Sequence, residues 1–267
     1  MAGQNCLATN DWICGEYLRS RSQELTDATV QHIGITVVSV LIGLAVAFPL
    51  ALLARRGRGF AGPVLGLTTI LYTVPSLAMF SLLLPLFGLS AALVVTGLVL
   101  YSLTILVRNI LAGLEAVPED AKEAARGMGY GPWRLLWEVE LPLALPALMA
   151  GLRIATVSTV ALTTVGSLVG KGGLGNLIED ALPSFFKAQV LAASVLCVLL
   201  AVTADLLLLG LQRLLTPWTR IRAATGDTRT GAGGTSSGPG GSGGGLNGPD
   251  GSGGPAGIPA PAKVEAG

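Results

Sequence analysis

Charge is scarce in this chain. Only 12% of its 267 residues are Asp, Glu, Lys or Arg, while 51% are hydrophobic. A soluble domain carries about a quarter charged residues, so this composition excludes an ordinary soluble domain and points to a polytopic membrane protein. The formal net charge is +1, and the basic residues are scattered among loops, which leaves no nucleic-acid-binding face. There is one histidine, His32, at the start of an apolar run, and no cluster of His and carboxylates with metal-ligand spacing. No metal site and no catalytic residue are therefore expected, and an intramembrane enzyme is disfavoured. The sequence GxxxxGK[ST] is absent, so the chain does not hold nucleotide in a P-loop. The polar amino end lacks the basic start, short apolar core and cleavage site of a signal peptide, so we expect it to be retained. The sequence contains three cysteines. Cys6 and Cys14 suit either a disulfide, if that end faces an oxidising exterior, or two free thiols, whereas Cys197 lies within an apolar run.

What is present is a series of long apolar runs, and an all-α membrane protein with about five transmembrane helices follows from them. Ile33 to Ala54 is about 22 residues, enough at 1.5 Å per residue to cross the roughly 30 Å hydrocarbon layer. Gly34, Gly43, Ala47 and Ala51 recur on about one face of it and permit close helix approach. Arg55, Arg56 and Arg58 follow, which puts that end in the cytoplasm and the amino end outside. The second run, Phe60 to Phe87, is too long for one ideal span and is interrupted by Tyr72, Thr73, Val74, Pro75 and Ser76. Broken helices are tolerated at membrane depth where they face protein or water. We therefore read Tyr72, Thr73, Pro75 and Ser76 as translocation-path candidates, with a simple packed kink as the other reading. The third run, Ala91 to about Leu114, turns polar from Tyr101 onward, with Arg108 near its cytoplasmic end either anchoring the following loop or snorkelling to the interface. The fourth, about Ala144 to Val169, carries Arg153, a charge that is functional by default at such depth and a further path candidate unless it snorkels. The fifth, Ala188 to about Leu211, contains Asp205 and is followed by Arg213, Arg220 and Arg222. Between the last two, the segment 170–175 reads GKGGLG and is expected to be a flexible outer turn.

Three regions result: an extracytoplasmic segment 1–31, a membrane domain 32–222, and a tail 223–267. The tail is rich in Gly, Ser and Pro and is expected to be cytoplasmic and disordered.

The charged interlude 115–142 lies between the third and fourth runs. Pro118, Glu119 and Asp120 form a helix-start signal, with acids at the positive end of the dipole. Gly129 is placed to end that helix in a left-handed conformation, and Gly131-Pro132 opens a second short helix that Pro142 is expected to break. Ala124 and Ala125 offer a smooth face to a partner's groove, and Glu123 a charge for specificity.

Within this interlude Glu123, Ala124 and Ala125 are followed after three residues by Gly129, after nine more by Val139, and after one more by Leu141 and Pro142. The pattern resembles the EAA loop of membrane subunits of binding-protein-dependent ABC importers, with Val139 in place of Ile. Pro75-Ser76-Leu77, Arg108-Asn109, Gly151-Leu152-Arg153 and the run Gly172, Gly173, Leu174, Gly175 are similar to elements of permeases for glycine betaine, choline and carnitine. Lys171 stands where that family has a small residue, which removes support for a gating role of the outer loop. The resemblance implies a MetI-like permease, multi-pass in the cell membrane, with Glu123, Ala124, Ala125, Gly129, Leu141 and Pro142 coupling it to a cytoplasmic ATPase dimer. ATP and Mg²⁺ would sit on that ATPase, leaving no cofactor in this chain. A second permease subunit, identical or closely homologous, and an extracytoplasmic substrate-binding protein are also implied. An importer of amino acids or of a betaine-like thiol compound would share the coupling loop. A secondary transporter or channel, the rival of a different class, would need ion-coordinating charges or an internal repeat, neither of which is found.

Overall fold

A computed structural model describes residues 6–217, and among them every regular element is helical. The outer end begins with α1 (Cys6–Thr9) and α2 (Gly15–Ser20), joined by a Cys6–Cys14 disulfide. Such a bond belongs in an oxidising exterior. Next comes α3 (Ser22–Arg55), of 34 residues, which starts well before the expected span at Ile33. The residues ahead of the membrane stay helical where Leu25 and Ala28 pack into the outer core, and Thr26 and Thr29 satisfy their hydroxyls on the Ser22 and Leu25 carbonyls at 2.8 and 2.7 Å. Residues 22–31 of the expected amino-terminal segment are thus one rod with the first span.

The interrupted second run forms α4 (Arg58–Thr73) and α5 (Ser76–Phe87), bent by 100° at Val74-Pro75. Then follow α6 (Ala91–Glu115), α7 (Glu119–Gly127), α8 (Pro132–Leu135), α9 (Leu141–Thr163), α10 (Leu174–Ala181) and α11 (Lys187–Leu215). Counting α4–α5 as one broken span gives five crossings, as expected from the sequence.

The sharpest departure from the sequence reading is at Pro142, which does not end a helix. A π turn, Leu136–Glu140, joins α8 to α9, and the helical run extends from Pro132 to Val169. Pro142 has no N–H and would clash with a carbonyl one turn back. The wider turn, in which the Leu141 N–H reaches the Leu136 carbonyl, absorbs the mismatch.

α6 is the buried centre, packed against α3 and α9. Ala47, Ala51 and Ala54 of α3 meet Leu106, Val107 and Ile110 of α6 in the main core. Gly43 belongs to this face, since a Cβ there would meet Ser102 Oγ at 2.4 Å, whereas Gly34, expected on the same face, looks into open space. α9 and α6 approach just as closely where a Cβ on Gly151 would meet Asn109 Cβ at 2.3 Å. A second core at the outer end gathers Cys14, Tyr17 and Leu25 with Leu174, Leu177 and Ala188. Asn10 fastens it by donating to the Phe185 carbonyl and accepting from the Lys187 N–H, at 2.9 and 3.0 Å.

α11 lies at the edge, against α9 and α10. Its Asp205 accepts two hydrogen bonds from Arg153 of α9, both at 2.8 Å. The tail expected at 223–267, with Arg220 and Arg222, lies outside the described residues.

An ion pair at membrane depth is tolerated because each charge answers the other, so losing one partner should cost more than losing both. Arg153→Met and Asp205→Leu should each lower stability. The double variant should recover much of that in thermal unfolding of the solubilised protein. Simple addition of the two losses would show that the pair is not coupled.

Candidate coupling loop and helix break

α7 begins at Glu119, capped by Pro118, as its sequence predicts. Lys122 and Arg126 both donate to the Glu119 carboxylate, at 3.2 and 3.0 Å. The hydrogen bond from Lys122, then that from Arg126, holds the Glu119 carboxyl below the usual carboxylate range. The helix ends in a Schellman turn. Tyr130 N–H bonds the Ala125 carbonyl at 3.1 Å, Gly129 N–H bonds Arg126 at 2.9 Å, and Gly129 has φ +84°. No atom crowds the site where a Cβ would stand on Gly129, so the constraint there is backbone conformation alone.

Glu123 and Ala124 are exposed, but Ala125 is buried, only 2% accessible. Successive helical residues point about 100° apart, so the two alanines do not share a face. Ala125 seats α7 on the permease itself, while Glu123 and Ala124 face outward.

The loop is tied to the membrane helices by Glu140, at the end of the π turn and 2% exposed. Both of its carboxylate oxygens accept from Arg55 at the end of α3. Sequence reading saw Arg55 only as a topology signal and passed over Glu140. The pair also fixes the topology: the end of α3 and the coupling loop lie on one side of the membrane. Since α6 runs into that loop, its start lies on the other side, and α4–α5 must cross between. Leu141 and Pro142 follow half-buried at the start of α9.

Side chains of α6 reach across to α4 and to the break that follows it. Tyr101 hydroxyl donates to the Val74 carbonyl, Thr104 to the Thr68 carbonyl, and Arg108 to Thr69 Oγ1 at 2.8 Å. Positions 101, 104 and 108 form one stripe, a signal present in the sequence as spacing but not read. Arg108 thus bridges α6 to α4 and does not reach the coupling loop. Tyr72, whose ring lies 6.1 Å from that of Tyr101, is exposed, as are Thr73 and Pro75, and Ser76 is half-buried. Arg153 is not gathered with them, because its charge is held by Asp205 on the α11 side.

The outer glycine segment is packed, not flexible. Gly172, Gly173, Leu174 and Gly175 are all buried. A Cβ on Gly172 would strike Ser167 N at 2.3 Å, one on Gly173 the His32 backbone at 2.8 Å, and one on Gly175 the Thr164 carbonyl oxygen at 2.2 Å. The glycines serve close approach to the end of α9 and to α3. His32 is fully buried there, with Nε2 3.0 Å from the Val160 carbonyl.

Known proteins resemble this chain in sequence and in fold. Residues 39–221 match the family described as binding-protein-dependent transport system inner membrane component. The osmoprotectant import permease protein OsmW of Salmonella typhimurium is 35% identical over 206 residues, covering 75% of this chain and 96% of that one. A glycine betaine/carnitine/choline transport system permease protein of Bacillus subtilis, OpuCD, is 36% identical over 204 residues, covering 76% and 89%. Among solved structures, an inward-facing form of the MetNI methionine ABC transporter superposes with a TM-score of 0.68 at 22% identity, covering 74% of this chain and 98% of that one. With the EAA spacing, the five crossings and the buried loop anchor, these likenesses establish that the chain belongs to the inner-membrane permease family of binding-protein-dependent ABC importers.

Proposed function

We propose that this permease carries a quaternary-ammonium osmoprotectant such as glycine betaine, choline or carnitine. It would work with a cytoplasmic ATPase dimer, a second permease subunit and an external substrate-binding protein. The substrate class is supported by the names of the relatives that are 32–36% identical to it. The likeness to the methionine transporter, at 22% identity, speaks to fold, so the amino-acid reading gains no comparable support.

The observation that carries the mechanism is the loop geometry. The outward face of Glu123 and Ala124 is joined through the Gly129 turn to α8, and α8 continues without a stop into the span. Motion imposed on α7 and α8 by a docked ATPase therefore passes into α9 as displacement of a rod. Nucleotide and Mg²⁺ belong to the ATPase subunits, and this chain supplies docking, leverage and the path.

Tyr72, Thr73, Pro75 and Ser76 line the path in this reading. Their side of α4 and α5 is unpartnered, with Leu77, Leu82 and Leu86 exposed, so a second permease copy is needed to enclose it. The aromatic face of Tyr72 offers a passing quaternary ammonium a weak cation–π contact. Arg153, bound to Asp205, sits outside the path. The packed segment Gly172, Gly173, Leu174 and Gly175 braces the outer end of the bundle from within.

Two variants test the leverage. Gly129→Val puts a β-branched side chain at φ +84°, at a local cost of about 1–3 kcal/mol, and Glu123→Lys reverses the outward charge. In reconstituted complexes both should insert normally but lose uptake and substrate-stimulated ATP hydrolysis together. Wild-type values in both would reduce the loop to a connector.

A further inference from the structure

A cavity of about 620 Å³ opens at the cytoplasmic edge of the membrane between the end of α3 and residues 126–140. Arg55, Arg56, Arg126, Tyr130, Trp133 and Glu140 are among its lining residues. Its positive charge is only partly cancelled. Four cations, Arg55, Arg56, Lys122 and Arg126, face three carboxylates: Glu140 matches Arg55, Glu115 acts on Arg55 from farther off, and Glu119 is shared between Arg126 and Lys122, while Arg56 makes no ion pair among the described residues. Arg134 is paired with Glu138 at 2.9 Å, so it neither adds to nor subtracts from this balance.

Directly toward the membrane centre lies an apolar groove of about 450 Å³ between α3 and α9, with Leu41, Ala45, Phe48, Leu145, Leu148 and Leu152 on its walls. The two spaces follow one another along α3. Positions 41, 45, 48, 52 and 55–56 of α3 recur every three or four residues, so groove and cavity share one face of one helix. Trp133 and Trp137 are 66% and 54% exposed one turn apart. Exposed tryptophans of this kind mark the level of the lipid headgroups. Trp137 leans on Phe48, with ring centroids 5.9 Å apart, where the cationic space gives way to the apolar one.

We propose that this composite space binds one anionic phospholipid of the inner leaflet, its phosphate held by Arg56 and Arg126 and an acyl chain laid in the groove between α3 and α9. A free phosphate would use the cavity and leave the groove empty. A helix from another subunit would use the groove but has no need of unmatched guanidiniums at its end. A zwitterionic headgroup carries no net charge to answer the excess cation, and Arg55 already occupies both oxygens of Glu140. The bound lipid bridges the end of α3 and the last turn of α7, so it adds to the hold of the membrane on the coupling loop. The site stands on membrane placement and charge and does not depend on which solute is carried.

The test uses the assembled transporter in nanodiscs of equal phosphatidylglycerol and phosphatidylcholine, followed by native mass spectrometry of retained lipid. Wild type should keep phosphatidylglycerol in preference to phosphatidylcholine. Arg56→Gln and Arg126→Gln should each reduce that retention about fivefold, and Arg56→Lys should preserve it. Ala45→Trp, which fills the groove and leaves the cations, should reduce it as well. Equal retention of the two lipids would overturn the proposal, as would displacement by inorganic phosphate with no effect of Ala45→Trp. Cross-linking of a cysteine at position 45 to another subunit's polypeptide would also overturn it, because the groove would then be a protein interface.

Discussion

A carboxylate buried at the edge of a membrane is tolerated only if something answers its charge, and Glu140 is 2% exposed at that depth. Arg55 answers it with two hydrogen bonds. Much of the molecule follows from this contact. It brings the end of the first span to the coupling segment, which forces α4–α5 to cross the membrane. It also anchors the π turn through which the loop becomes the fourth span. Removing Arg55 would leave Glu140 buried and unmatched, so the coupling segment is held by a charge as well as by packing.

The same demand, that charged and backbone groups at membrane depth be matched, accounts for further contacts in the bundle. Breaking the second span at Val74-Pro75 frees the Val74 carbonyl, and Tyr101 of α6 meets it. Arg153 and Asp205 neutralise each other between α9 and α11. The small residues do complementary work. Ala47 and Ala51 are fully buried beside α6, and Gly151 lets α9 approach Asn109 so closely that a methyl group would not fit.

The number and order of spans were legible in the sequence, because apolar runs and the arginines beside them are local signals. So was the Gly129 turn, since a left-handed helix end needs a residue without a Cβ. The contacts that join distant elements were not. Nothing near Glu140 names Arg55, and nothing near Arg153 names Asp205, because partners so far apart in sequence meet only through the packing of whole helices. Pro142 misled for a related reason: proline ends an isolated helix, but a π turn braced by tertiary packing carries the chain through it. The glycines at 172, 173 and 175 misled in the opposite sense, since glycine marks both mobile turns and the tightest contacts. Only the surroundings, here Ser167, His32 and Thr164, decide between them.

A permease of this design separates tasks by depth: a disulfide-closed outer cap, a broken helix at the centre, and a cytoplasmic lever held by one ion pair. The central claim is that the outward face of α7 is where the ATPase takes hold of the lever. Cysteine cross-linking in the assembled transporter tests it most directly, with single cysteines at Ala124 on the outward face and at Gly170 in the outer loop as a control. The account predicts a cross-link from position 124 to the ATPase subunit, weakened or strengthened as nucleotide is added, and none from position 170. Failure of position 124 to reach the ATPase in any nucleotide state would contradict it.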